Sequence, residues 1–255
     1  MALELRLDGA VVLVTGGVRG VGLGITRAFR QAGARVVVCG RTQPEPQFEV
    51  EFLACDVREP EQVERLIDGI VREHGRLDVV VNNAGGAPIA EAATASPRFH
   101  SKIVALNLLA PLIVARSANA VMQQQDSGGA IVNVSSVSGS RPSPGTASYG
   151  AAKAGLDNLT TSLAVEWAPK VRVNALVVGM VRTERAELHY GDAAGVAAVG
   201  ATVPLGRLAE PDEIGACAVF LASPLASYVS GATLVVHGGG EVPAFLGAST
   251  AKEHS

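Results

Sequence analysis

The chain has 255 residues, 48% of them hydrophobic and 18% charged, with a formal net charge of −3. That apolar content suits one α/β domain built on a sheet buried on both faces, and the charge lacks the clustered Lys and Arg that a nucleic-acid or anionic-membrane surface needs. MALELRLDGA at the start lacks the apolar core of a signal peptide and no uninterrupted apolar run approaches the roughly 18 residues that span a bilayer, so a soluble, cytoplasmic protein is expected.

AVVLVTGG (10–17) is an apolar run entering a glycine turn, the pattern of a strand buried on both faces. A helix that Gly33 ends follows, then a second strand in ARVVVCGR and a third in EFLACDV. Pro60 opens a helix with Val63, Leu66, Ile67, Ile70 and Val71 along one stripe, Glu61, Arg65, Asp68 and Arg72 on the solvated face, and Gly75 just past its end. LDVVVNNAG supplies a fourth strand. A long helix from about Ser101 to Met122, the strand AIVNVSS, a helix from about Ser148 to Trp167, the strand VRVNALVVG, a helix after Pro211 and the strand ATLVVHGG complete the chain. Strands alternating with helices imply parallel βαβ units with right-handed crossovers. The expected fold is a single-domain, Rossmann-like, doubly wound parallel sheet of about seven strands flanked by helices, with ligands beyond the carboxyl ends of the strands at the switch point. Cys39, Cys55 and Cys217 are odd in number, widely spaced and without a CxxC pair; they read as buried free thiols, and no metal site is expected.

TGGVRGVG (15–22) sets Thr15, Gly16, Gly20, Val21 and Gly22 around Arg19 where the first strand meets its helix. The spacing is TGxxxGxG rather than GxGxxG. Backbone N–H groups and a helix N-terminus there suit a pyrophosphate, although glycine turns of this kind also occur for purely structural reasons. NAD-selective folds place a carboxylate at the end of the second strand to hold the ribose 2′-OH; this chain has Gly40 followed by Arg41. With that carboxylate missing, Arg19 and Arg41 can grip a 2′-phosphate through charge-assisted hydrogen bonds, which points to NADP (NADPH) over NAD. Tyr149 and Lys153, in SYGAAKAG, fall four apart on one face of a predicted helix. A phenol with a pKa of about 10 is poor at neutral acid/base work, and a nearby ammonium lowers it by stabilising the phenolate. In isolation YxxxK is ordinary. Ser136, thirteen positions upstream, closes a buried strand where its hydroxyl faces the same sheet edge.

With CDV (55–57), NNAG (82–85) and Asn107 in LNLLAP, these motifs follow the order and intervals of the short-chain dehydrogenases/reductases, which the chain resembles from Leu7 to about Gly240. The 3-oxoacyl reductase-like members are among those it resembles. The resemblance implies hydride transfer between nicotinamide and a carbonyl or secondary alcohol. It makes Tyr149 the general acid/base and Ser136 the group orienting the oxygen; Lys153 binds the nicotinamide ribose and depresses the tyrosine pKa, and Asn107 holds a water in the proton relay. It also implies that Asp56 and Val57 flank the adenine, that Asn83, Ala84 and Gly85 line the cofactor cleft, and that Val181 and Thr183 contact the carboxamide beyond a turn at Gly179. The two long helices match those that pair across subunits in family tetramers, so a homotetramer or homodimer is expected.

The sequence departs from the family where its usual Pro-Gly is Val178-Gly179, and where His237 stands in place of a common Asp. Between Arg41 and the third strand, TQPEPQF is too short for the usual helix and is expected to cross directly. Residues 184–204, rich in Ala and Gly, are expected to form a mobile lid over the substrate, with His189 and Tyr190 exposed on it; residues 241–255 form a tail. The leading expectation is an NADP-dependent carbonyl reductase or alcohol dehydrogenase for a small-to-medium, mostly apolar substrate. A non-catalytic NADP-binding sensor or scaffold is the rival, disfavoured because it has no need of Asn107, Ser136, Tyr149 and Lys153 together. MQQQDSGG (122–129) is nearly neutral, which steers an acidic acyl carrier protein weakly; a free small molecule or CoA thioester is expected instead of a carrier-bound chain. Arg172, a cation near that loop, is expected to lie in a strand with one face buried.

Overall fold

The computed structural model describes residues 5–43 and 50–248; the crossing expected of TQPEPQF and the end of the tail lie largely outside the described residues. Seven strands, β1 (Val11–Thr15), β2 (Arg35–Gly40), β3 (Glu51–Ala54), β4 (Val79–Asn82), β5 (Gly129–Ser136), β6 (Val171–Val178) and β7 (Thr233–Val236), form one sheet in the order β3-β2-β1-β4-β5-β6-β7. All neighbouring pairs are parallel. The chain runs outward from β1 to β3, returns to lay β4 beside β1, and then proceeds to the other edge, so the winding reverses between β1 and β4.

The apolar strand runs are continuous because each strand serves two layers. On one face Val11, Leu13, Val37, Val80, Ile131 and Val173 pack with Val63, Leu66, Ile67 and Ile70 of α2 (Pro60–His74) and Val114, Ala118 and Met122 of α4 (Ala110–Met122). On the other, Val12, Val14, Val38, Val79, Val81, Val132 and Leu176 pack with Ile25 and Phe29 of α1 (Gly20–Gln31) and Ile214, Ala218 and Leu221 of α8 (Pro211–Ala222). The stripe read from the sequence of α2 is the buried one, and Gly75 ends the helix in the left-handed conformation at φ 76°. Arg172 lies in β6 with its guanidinium turned inward, donating to the carbonyls of Leu221 at 2.7 Å and Ala222 at 3.1 Å at the end of α8.

One helix differs from its expected bounds. It begins at Pro97, not Ser101, with α3 (Pro97–Val104) capped by the Ser96 side chain accepting from the Phe99 N–H, and a π-helical turn (Ala105–Leu109) joins it to α4. Pro97–Met122 as a whole is long and apolar enough to cross a membrane by length and composition, with 39% of its most apolar window buried inside the fold. α5 (Ala147–Glu166) follows β5. Buried amides link these elements: Asn82 Nδ2 donates to Asn133 Oδ1 at 2.9 Å and Asn133 Nδ2 to Thr160 Oγ1 at 2.9 Å, while Asn82 Oδ1 meets no partner among the described residues.

The lid segment holds α6 (Ala186–Tyr190) and α7 (Ala193–Ala201). Ala186, Val196 and Leu208 form a small core there, with Tyr190 and Val199 against it. This is more order than an Ala/Gly-rich composition suggests, and Tyr190 is half-buried, not exposed; His189 is exposed.

Candidate active site

The carboxyl ends of β1, β4, β5 and β6 bring together the glycine loop, the turn at Asn83–Gly86, the start of α5 and the segment Gly179–Glu184. Thr15 is buried, and its Oγ1 accepts from the N–H groups of Asn83 at 3.0 Å and Ala84 at 2.9 Å. Asn83 Nδ2 returns the contact, donating to Thr15 O at 2.9 Å and Gly16 O at 3.2 Å. The two side chains therefore brace one loop against the other, leaving Gly16, Gly20 and Val21 partly exposed beside them. A Cβ on Gly22 would stand 2.2 Å from Gly16 O, so no larger residue fits that tight approach. Arg19, the N-cap residue of α1, is extended and its side chain gives the helix no capping bond. The first-turn N–H groups of α1 thus form a cradle of the kind that holds a dinucleotide diphosphate, and the residues present fit that group.

Past β2, Gly40 leads to the exposed Arg41. Asp56 is held by Arg58, whose Nε donates to Oδ1 at 2.9 Å. The Arg58 guanidinium above all, with a smaller contribution from the Arg41 charge, keeps the Asp56 carboxyl below its ordinary range. Val57 is buried beside it. Arg58 is a residue that the sequence reading missed; its signal was a cation two places beyond an acid in a tight loop.

Asn107 sits in the π turn with its amide fully directed at neighbours: Oδ1 accepts from Gly86 N at 2.8 Å, and Nδ2 donates to Ile103 O at 2.9 Å and Gly86 O at 3.0 Å. It ties the cleft turn to the helix, and the side chain is a clamp before it is a water ligand. A Cβ on Gly85 would stand 2.7 Å from Asn107 Oδ1 and 3.6 Å from Lys153 Nζ, which shows how closely these three groups converge.

Ser136 ends β5, its hydroxyl accepting from Ser138 N at 3.2 Å and meeting the Tyr149 phenol. Lys153 is 4% exposed; its Nζ donates to Val134 O at 2.7 Å and lies 5.6 Å from the centre of the Tyr149 ring. Burial pushes the lysine down to about 8, opposed by the charge of Asp157 one helical turn further on. The tyrosine is also shifted, but upward, because burial outweighs the hydrogen bond from Ser136. The expected depression by Lys153 is absent from this arrangement, because the ammonium is over the ring face and directed at the Val134 carbonyl, not at the phenol oxygen.

Gly179 lies against β7 so closely that a Cβ would approach His237 Cβ to 2.7 Å, and its N–H donates to Val236 O at 3.0 Å. The turn is fixed by this contact without the missing proline. Val181 pairs with Ala209, and Thr183 packs toward Gly20. Glu184, also unread from the sequence, accepts a hydrogen bond from Gly20 N at 3.1 Å. At the mouth, Arg141 pairs with Glu241 at 2.8 Å, tying the loop after β5 to the tail.

Ser136 meets the Tyr149 phenol, and the buried Lys153 ammonium stands over the Tyr149 ring, beside a loop of the kind that holds a dinucleotide diphosphate. A family model described as enoyl-(acyl carrier protein) reductase matches residues 16–241. The chain is 37% identical over 254 residues to L-fucose dehydrogenase of Oryctolagus cuniculus, covering 95% of this chain and 88% of the relative. D-threitol dehydrogenase of Mycolicibacterium smegmatis is 34% identical over 247 residues, covering 92% of this chain and 94% of the relative. The ligand-free structure of Thermoplasma acidophilum aldohexose dehydrogenase superposes with a TM-score of 0.87 at 32% identity, covering 92% of this chain and 94% of that one. The chain belongs to the short-chain dehydrogenase/reductase family of oxidoreductases, which generally use a nicotinamide cofactor.

Proposed function

We propose that the protein is an NADP(H)-dependent dehydrogenase/reductase interconverting a carbonyl and a secondary alcohol on a small-to-medium, mostly apolar substrate. The observation that carries this is the grouping of Ser136 with the Tyr149 phenol, under the buried Lys153 ammonium, beside the glycine cradle. The bound nicotinamide supplies or accepts the hydride. Ser136 orients the substrate oxygen, and the Tyr149 hydroxyl gives or takes its proton. Lys153 brings positive charge over the Tyr149 ring face and, released from Val134 O, would bind the nicotinamide ribose, while Asn107, by fixing the Gly85–Gly86 turn, keeps that wall of the cleft in place. NADP is supported by the absence of an acid at Gly40 and by Arg41 near Asp56. The exposed Ile89, lying against the Gly145 turn just before Tyr149, supports an apolar substrate.

A second reading, a polyhydroxylated substrate, draws support from the hydrogen-bonded hydroxyls of Ser138, Ser143 and Thr146 just before Tyr149 and from the sugar and polyol names of the relatives. A carrier-bound acyl chain is less well supported. Near MQQQDSGG, Lys170 donates to Gln125 O at 2.8 Å and Arg172 is turned inward, so neither is a free docking charge. We place subunit contacts of a homotetramer or homodimer on the outer faces of α5 and of the π turn that leads into α4, where Val165 is 81% and Leu109 47% exposed; light scattering of a monomer would overturn this.

The test is a panel of ketones, quinones, ketosteroids, sugars, polyols and one β-ketoacyl group on both CoA and acyl carrier protein, each with NADPH or NADH and the oxidised forms. Turnover of apolar ketones with NADPH is expected. Turnover confined to sugars or polyols selects the second reading, and a salt-sensitive advantage for the carrier-bound thioester refutes the reading of the surface.

A further inference from the structure

The first turn of α1 has no acidic residue, and Arg19 offers no side-chain cap. The anionic group that reaches it comes from 164 residues away: Glu184 Oε2 accepts from Gly20 N at 3.1 Å. Thr183 is carried with it, its Cγ2 lying 3.4 Å from where a Cβ of Gly20 would be. Glu184 is exposed and leads directly into α6, so the contact fastens the root of the lid to the glycine loop. A carboxylate is favoured here by the same unsatisfied N–H groups and helix dipole that favour a diphosphate.

We propose that Glu184 is an internal occupant of the diphosphate seat, so that cofactor entry and release of the lid root are a single exchange of one anion for another. This rests on reading the glycine loop as the dinucleotide site. Two anions cannot share the one N–H, and a displaced carboxylate still adjoining the loop repels the diphosphate. Glu184 therefore weakens cofactor binding and, by returning to Gly20, assists cofactor departure. The device sets how readily the oxidised and reduced cofactors exchange, a step that can limit turnover in enzymes with lids.

The experiment is titration of the whole protein with NADPH, followed by nicotinamide fluorescence, for the wild type, Glu184→Gln, Glu184→Ala and the lid control Glu187→Ala. Both Glu184 variants are expected to bind NADPH about two- to fivefold tighter, the scale of one exposed charge at a helix N-terminus, with slower release in stopped flow; Glu187→Ala should match the wild type. Hydrogen exchange gives a second readout: inorganic pyrophosphate should speed exchange across residues 184–190 in the wild type and leave Glu184→Ala unchanged. Equal or weaker NADPH binding by both Glu184 variants overturns the inference while leaving the dinucleotide site standing. If neither NADPH nor NADH binds to any of the four proteins, the dinucleotide reading fails and this inference fails with it.

Discussion

Replacing Lys153 by Met should make the protein more stable at neutral pH while abolishing turnover. Burial holds the Lys153 pKa down at about 8, against an ordinary value of 10.5. At 1.36 kcal/mol per unit, keeping the side chain charged in the fold costs about 3 kcal/mol. Methionine fills similar space with no charge, and loss of the Nζ bond to Val134 O offsets about 1 kcal/mol. The net gain of about 2 kcal/mol corresponds to a Tm rise of roughly 4–8 °C for a chain of this size. The sign of the pH dependence follows from proton binding. Below about pH 8 both folded and unfolded wild type carry the proton, so the cost is full and constant. Between about 8 and 10.5 only the unfolded chain binds it, so wild-type stability climbs with pH and the gap to the variant closes. Thermal unfolding followed by circular dichroism from pH 7 to 10.5, without added cofactor, measures this. A Lys153→Met protein no more stable than the wild type at pH 7, or a gap that persists unchanged to pH 10.5, refutes the reasoning.

Tyr149→Phe should leave NADPH binding nearly intact and abolish turnover, because only the dissociable proton is removed; a variant retaining most of the wild-type kcat shows the acid/base to be another group. Gly40→Asp with Arg41→Ile should shift preference toward NAD by on the order of ten- to a hundredfold, the worth of one charged hydrogen-bond pair. A side chain at 40 meets the Phe52 ring only at an ordinary 3.6 Å, so the change is sterically tolerated, and titrations with both cofactors decide it. Gly22→Ala should lose most NADPH affinity, because its Cβ would lie 2.2 Å from Gly16 O and 2.5 Å from Asn83 Nδ2 and must push the loop open; near wild-type affinity by calorimetry would show that the loop is not the cradle.

The strands and α2 were legible because burial on two faces and on one stripe leave different periodicities, 'VVLV' against Val63-Leu66-Ile67-Ile70. The early start of α3 had a signal too, Ser96 before Pro97, a cap followed by a helix-opening proline. The π turn around Asn107 had none, since LNLLAP suits an ordinary helix, and it is the tertiary tie to Gly86 that accompanies the irregular turn. Motif identity named Thr15 and Asn83 without disclosing that their side chains face each other's loops. Long-range pairings such as Glu184 with Gly20 and Arg141 with Glu241 join exposed positions that no local pattern connects. Tyr149 shows the limit for electrostatics: spacing puts Lys153 on its face, but whether the ammonium or burial dominates depends on where Nζ points.

Asn82 and Asn133 stand directly opposite each other in the pairing of β4 with β5, each buried and bonded to the other. The flanking sequences, VVV and AIV, are so alike that many alignments would bury their apolar side chains about equally well. A slip of either strand by one residue would carry a carboxamide to the opposite face of the sheet, among valines, and orphan its partner, at about 1–3 kcal/mol for each unsatisfied amide. The pair works as an address written into a repetitive text: during folding it tells two interchangeable strands where to stop, and by doing so it decides that the loops beyond them arrive at the same height.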